Sequence, residues 1–348
     1  MLLKTLTELN GASGNEKNVR DYLRQQVTPL SNSVNIDKMG NLISIKNGAS
    51  DRPRILLAAH MDEVALMITD ITPDGFLKFR PVGGIDPRIL ISKPVKIGKD
   101  IVGVIGSKAI HLQKPSERKQ TITIEQLYID IGTRTKDEAN KNVKLGDYAY
   151  FMTDYEDLGD NYLKAKAFDD RIGCAALVET LKNNYDCTVI AAFTVQEEVG
   201  LRGAKVAAFH TDPDFAIVLE GTVAADMIDV ENKEWVTEPG KGPACSIMDR
   251  TTLYNPKLIQ FVDRVAKSNS IPLQFRRGSG GGNDAGRIHL TKAGIPTISL
   301  SVPCRYIHSC TSVVSKDDYH NFIKLIDAVL RALPSELNQL KISSLISS

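Results

Sequence analysis

A chain of 348 residues exceeds what one small domain needs and leaves room for a core domain plus a second unit. With 43 basic and 42 acidic side chains the formal net charge is +1, which excludes the basic footprint of a nucleic-acid binder and the polybasic patch of a membrane-surface protein. Hydrophobic content of 42%, with no apolar run approaching a membrane span, is that of an ordinary globular protein. The opening residues Met1-Leu2-Leu3-Lys4 lack the pattern of a signal peptide. Cys174, Cys187, Cys245, Cys304 and Cys310 are scattered and odd in number, so they read as reduced thiols in a cytoplasmic protein.

In chain order, Leu2, Leu3, Leu6 and Leu9 have helical spacing that Gly11 and Gly14 interrupt. Residues 16–30 predict a second helix, with Asn15 as its cap. Residues 33–36 and 42–46 predict a hairpin around Met39-Gly40-Asn41. Residues 54–59 form a short continuous apolar run, the pattern of a fully buried strand.

From residue 65 to 164 the texture changes. Short β-rich pieces recur at 77–81, 95–97, 101–105, 121–124, 127–131 and 148–152, separated by glycine, proline and charged turns. No long helix interrupts them, although 136–142 has room for a turn or two. This predicts a small β-barrel inserted into the chain. After residue 164 helix and strand alternate: helices at 172–182, 204–208, 256–268, 285–292 and 317–333, strands at 188–195, 215–219 and 296–301. Residues 1–64 and 165–348 therefore predict one discontinuous α/β domain, an α/β/α layering with helices on both sheet faces.

Acids and histidines fall beside these elements. Ala59-His60-Met61-Asp62-Glu63 ends the first buried strand. Phe168-Asp169-Asp170-Arg171 precedes a helix. Gln196-Glu197-Glu198-Val199-Gly200 and Leu219-Glu220-Gly221 end two more strands, and Arg305-Tyr306-Ile307-His308-Ser309 follows the last. In open α/β sheets ligands bind outside the carboxyl ends of the strands, where four of these five groups sit. Two histidines with several carboxylates suit a pair of divalent cations, since imidazole suits zinc and cobalt and a carboxylate bridges two ions. Taken singly, each group has a plainer reading: His60 as a structural histidine, Glu197-Glu198 as a solvated loop, and Asp169-Asp170-Arg171 as helix capping. Together they read as a site.

The remaining histidines, His111, His210, His289 and His320, lack a comparable acidic setting and read as surface or supporting groups. The run Gly278-Ser279-Gly280-Gly281-Gly282-Asn283-Asp284 matches neither phosphate-loop nor dinucleotide spacing and reads as a tight turn near the site. Cys310, two residues beyond His308, reads as an outlying thiol of the site. No serine or cysteine has the setting of a nucleophile elbow.

On these motifs, together with Gly240-Lys241-Gly242-Pro243, Gly280-Gly281-Gly282-Asn283-Asp284-Ala285 and Cys304-Arg305-Tyr306-Ile307-His308-Ser309, the whole chain resembles the glutamyl and deblocking aminopeptidases, tetrahedral cytosolic metallopeptidases. The resemblance implies two metal ions per subunit, zinc or cobalt, with Asp169 bridging. His60 and Glu220 would complete one ion's ligands, and Glu198 and His308 the other's. Glu197 would be the general base acting on a metal-activated water, and Asp62 would orient His60 by a hydrogen bond. The implied activity is removal of N-terminal residues from peptides with a free N-terminus. The barrel would serve dimerisation, and dimers would build a hollow dodecamer. Two positions depart from the family pattern: Glu220 stands where many relatives carry Asp, and Asn283 replaces a common Thr. Three other readings compete: a dinuclear amidohydrolase or deacylase acting on acylated amino acids, an endoglucanase, and an assembly or binding module with a vestigial site. A dimetal cage disfavours the endoglucanase, because a glycosidase wants two free carboxylates flanking a sugar.

Overall fold

The computed structural model describes residues 1–98, 100–278 and 280–344. Its frame is an 11-stranded mixed sheet. At its centre, strands Thr188–Thr194, Arg54–His60, Phe215–Val223 and Thr297–Arg305 lie side by side and parallel. Parallel strands all point the same way, so their carboxyl ends share one rim of the sheet.

The apolar runs form central strands because both faces are covered. In Arg54–His60, Ile55 and Leu57 join the core on one face while Leu56 and Ala58 join that on the other. Val189, Ala191 and Phe193 alternate with Ile190 and Ala192 in the same way, as the two-residue period of a strand demands. Helices Leu2–Glu8, Lys17–Val27, Phe168–Leu181, Pro256–Ser268 and Lys316–Ser344 cover the first face. Helices Arg202–Thr211 and Ala285–Ile288 cover the second.

A closed barrel joins strands Ala65–Ile71, Leu77–Val82, Tyr128–Asp130, Ile101–Gly106, Pro94–Ile97 and Tyr148–Phe151. It has its own apolar filling, including Leu66, Phe79, Val95, Ile105, Ile129 and Phe151. Hydrogen bonds from Tyr148 Oη to the Ser13 carbonyl and from Asn15 Nδ2 to Tyr150 Oη, both 2.8 Å, tie the barrel to the first turns of the chain.

Several local expectations differ from this structure. Residues 121–124 are not a strand. Thr123 and Gln126 form a reciprocal capping box around a short 3-10 turn, Ile124–Gln126, and that local pairing prevails. Asn15 does not cap the second helix, because its amide is committed to Tyr150; Glu16 stands at the cap position instead. Strands Glu156–Leu158 and Tyr162–Ala165 lie in the large sheet, the latter paired with Ser312–Ser315, so the chain has left the barrel before residue 164. The 204–208 helix runs over Arg202–Thr211, and the 285–292 helix is shorter, Ala285–Ile288. Cys310 is a buried filling residue of the barrel core rather than part of the polar site.

Candidate metal centre

Each motif is carried to the strand rim by a specific local turn. Thr194 pairs with His60 in register, so the two strands end level. Beyond them, Met61 N–H donates to the Thr194 carbonyl at 2.8 Å and locks the two exits together. Ala167, Gln196, Tyr306 and His308 all have φ between 55° and 59°, the left-handed region that non-glycine residues seldom adopt. Such strain gathers where a chain must turn sharply to present a side chain. Gly221 follows Glu220, and a Cβ there would lie 3.1 Å from Asp169 Cα; its absence lets the Asp169 backbone approach the strand.

The Asp169-Asp170 pair divides its duties. Both residues have non-helical dihedrals, so the regular helix starts after them. Asp170 accepts from Gly173 N–H at 3.0 Å, a capping bond, and from His60 N–H at 3.1 Å. Asp169 is turned to the cluster. Its Oδ1 lies 3.3 Å from His60 Nε2 and its Oδ2 3.5 Å from His308 Nε2. Glu220 lies 3.5 Å from His60 Nε2, and Glu198 3.4 Å from His308 Nε2. Glu197 stands further off, 4.0 Å from His60 Nε2. Donor atoms of His60, Asp169 and Glu198 fall within 4.8 Å of one another, as do those of His60, Asp170 and Glu220. Asp170 has both oxygens engaged by backbone N–H groups, whereas Asp169 Oδ1 and Glu220 Oε1 are buried without a hydrogen-bond partner. Buried carboxylates that keep an unpartnered oxygen beside an imidazole fit divalent cations.

The electrostatics agree. Burial first, then neighbouring carboxylates, push Glu220 up to about 8 and Glu198 up to about 7. Glu197 is raised well above the ordinary range by burial, against His60 and with Glu220, Glu198 and Asp284. Burial acts to lower His60, yet Glu197 and Glu220 lift it well above the ordinary imidazole range. Too many anions share one desolvated pocket, and cations relieve that.

Both histidine rings are oriented by carbonyls. The Asp62 carbonyl oxygen is 3.0 Å from His60 Nδ1, and the Gly84 carbonyl is 3.1 Å from His308 Nδ1. A carbonyl only accepts, so each Nδ1 carries a proton and each Nε2 is the nitrogen turned to the cluster. The main chain of Asp62 makes the hydrogen bond to His60, and Oδ1 of its carboxylate lies 3.5 Å from the same nitrogen. That carboxylate also accepts from Ser13 Oγ at 2.5 Å, Glu197 N–H at 3.0 Å and Glu198 N–H at 3.1 Å. Neither Ser13 nor Gly84 carried a signal in the sequence, since each meets its partner only through the fold.

A cavity of about 860 Å³ opens over the cluster, lined by His60, Asp169, Glu197, Glu198, Glu220 and His308 and by Gly280, Gly281 and Gly282. His111, His210, His289 and His320 do not line it.

The profile of the M42 glutamyl aminopeptidase family matches residues 40–325. The chain belongs to the M42 glutamyl aminopeptidase family. It is a peptide hydrolase, an aminopeptidase. It is 33% identical to a lysyl aminopeptidase of Pyrococcus furiosus over 95% of this chain and 96% of that one. The solved TET aminopeptidase of a marine sediment archaeon, Thaumarchaeota archaeon SCGC AB-539-E09, superposes with a TM-score of 0.93 at 37% identity, covering 99% of this chain and 98% of the other. The TET1 peptidase of Pyrococcus horikoshii, which can assemble into a tetrahedron or a large octahedral shell, gives 0.83 at 36% identity over 94% and 98%. No helix of the aminopeptidase among the described residues is long and apolar enough to cross a membrane.

Proposed function

We propose that this aminopeptidase removes the N-terminal residue of peptides with a free amino terminus, using two divalent ions, zinc or cobalt. The observation that carries the reading is Asp169, whose two oxygens face two different imidazoles. Asp169 would be shared, His60 and Glu220 would hold one ion, and Glu198 and His308 the other. The glutamate at position 220 reaches further than an aspartate would, which bears on metal preference. Bound ions would supply Lewis-acid charge for the scissile carbonyl and make water acidic near neutral pH.

Glu197 is the general base. It sits outside the closest contacts of the cluster, and burial raises its proton affinity. Such a carboxylate accepts a proton from the attacking water at one oxygen and returns it to the departing amine. Asp62 positions this base, since its carboxylate holds the N–H groups of Glu197 and Glu198.

The barrel segment, from residue 65 to about 151, is the dimerisation unit, and dimers build a dodecamer. Exposed apolar side chains on it, Val102, Val104, Ile110 and Leu112, support a partner there. The five buried free cysteines suit a cytoplasmic setting.

Metal content and substrate choice test the reading together. Reconstituted protein is expected to hold about two ions per chain, to lose activity with chelation, and to cleave a peptide while sparing its N-acetylated form. Equal or better turnover of the acetylated form would transfer the protein to the amidohydrolases.

A further inference from the structure

Glu16 stands at the cap position of helix Lys17–Val27, yet its side chain makes no capping bond to that helix. It is only 4% exposed, and its Oε1 is engaged elsewhere, accepting from Gly14 N–H at 2.7 Å and from Gln196 N–H at 3.2 Å. Gln196 is the residue whose φ of 56° turns the chain just before Glu197. Asp62 takes the next two amides, those of Glu197 and Glu198. Three consecutive N–H groups thus hang from two buried carboxylates. Ser13 Oγ links the two supports by donating to Asp62. The turn that carries Ser13 and Glu16 is itself clamped, because Gly11 N–H donates to Glu63 Oε1 and Glu63 N–H to the Gly11 carbonyl, both at 3.0 Å.

We infer that Glu16 is a positioning residue for the reaction: it holds the Gln196 amide in the left-handed turn that aims Glu197 at the attacking water. The inference rests on Glu197 being the general base and deepens that reading. The peptide plane between Val195 and Gln196 is gripped at its carbonyl by Gly203 N–H at 3.0 Å and at its amide by Glu16. A non-glycine residue leaves the left-handed region when what holds it there is removed. Without Glu16 the plane rotates, φ of Gln196 relaxes, and the Glu197 carboxylate moves with it. Misplacing a reacting group by about 1 Å costs about a hundredfold in rate. Glu198 keeps Asp62 on its own N–H, so the loss falls on turnover rather than on the metal ligands. A residue that served only the fold would change stability and leave turnover alone.

The test is a double-mutant cycle on metal-loaded full-length protein with one peptide substrate. Metal stoichiometry and urea midpoint are measured beside kcat and KM for every variant. Glu16→Ala should lower kcat about tenfold to a hundredfold, with KM and metal content little changed. Glu16→Gln keeps an acceptor oxygen at the same reach and should recover most of that loss. In the Glu197→Gln background no base remains to be aimed, so Glu16→Ala should cost less than about threefold there. If Glu16→Ala does not fold, Glu16→Asp, one methylene shorter, carries the same cycle with a smaller loss. Unchanged kcat in Glu16→Ala and Glu16→Asp, or an equal fold loss with and without Glu197, overturns the inference while leaving Glu197 as the base. Near-full turnover of Glu197→Gln alone removes the base reading, and this inference with it.

Discussion

Replacing Glu197 by Gln keeps the side chain's size and removes its capacity to take a proton. In the structure Glu197 is 4.0 Å from the nearest imidazole nitrogen, against 3.3–3.5 Å for the carboxylates of Asp169, Glu198 and Glu220. The variant should therefore leave both ions bound. Loss of a general base lowers turnover by about 10²–10⁴-fold, which corresponds to roughly 3–5 kcal/mol in the barrier. Glu198→Gln removes an anionic donor 3.4 Å from His308, so its metal content should fall along with its rate. The assay is metal stoichiometry by mass spectrometry beside kcat on one substrate for each variant. If Glu197→Gln stripped an ion while Glu198→Gln kept both, the two roles would have to be exchanged. If Glu197→Gln retained nearly full turnover, the proton transfer assigned to it would be wrong.

Asp62→Ala should lower kcat about a hundredfold or more while Ser13→Ala costs under about tenfold, because the first leaves the Glu197 and Glu198 N–H groups without their acceptor and the second removes one donor of three; steady-state kinetics of the pair check the order. Arg171 is fully buried and donates to the Leu6, Leu9, Gly11 and Met61 carbonyls and to Glu63. Arg171→Met should destabilise the fold by about 3–5 kcal/mol, read as a lower urea midpoint, and a loss below about 1 kcal/mol would refute a structural role for this network.

The gathering of His60, Glu197, Glu198, Glu220 and His308 was legible in the sequence because it depends on position along strands. An apolar run followed by His60, by Glu197 and Glu198, or interrupted by Glu220 marks the carboxyl end of a buried strand. Parallel packing brings such ends to one rim whatever the details. The barrel was legible for a similar reason: short β-rich pieces punctuated by turns, without a long helix, have few ways to bury their apolar sides. The division between Asp169 and Asp170 was implied only by the family resemblance and not by the residue pattern. Two adjacent aspartates look alike in a string, and only the dihedrals at the helix entrance send one to the cap and the other to the cluster.

Other features depended on segments far apart in the chain. The Gly84 carbonyl behind His308 comes from the inserted segment, 224 residues away, and Ser13 meets Asp62 across 49. Likewise, residues 156–165 could be assigned to the large sheet only through their pairing with Ser312–Ser315. By itself the sequence determined most of the elements and which acids and histidines stand at the strand ends, because periodicity and strand-end placement are local. The tertiary structure alone decided which carbonyl orients each imidazole and which carboxylate stays unpartnered, because a hydrogen bond or a charge acquires its role only from the groups folding places around it.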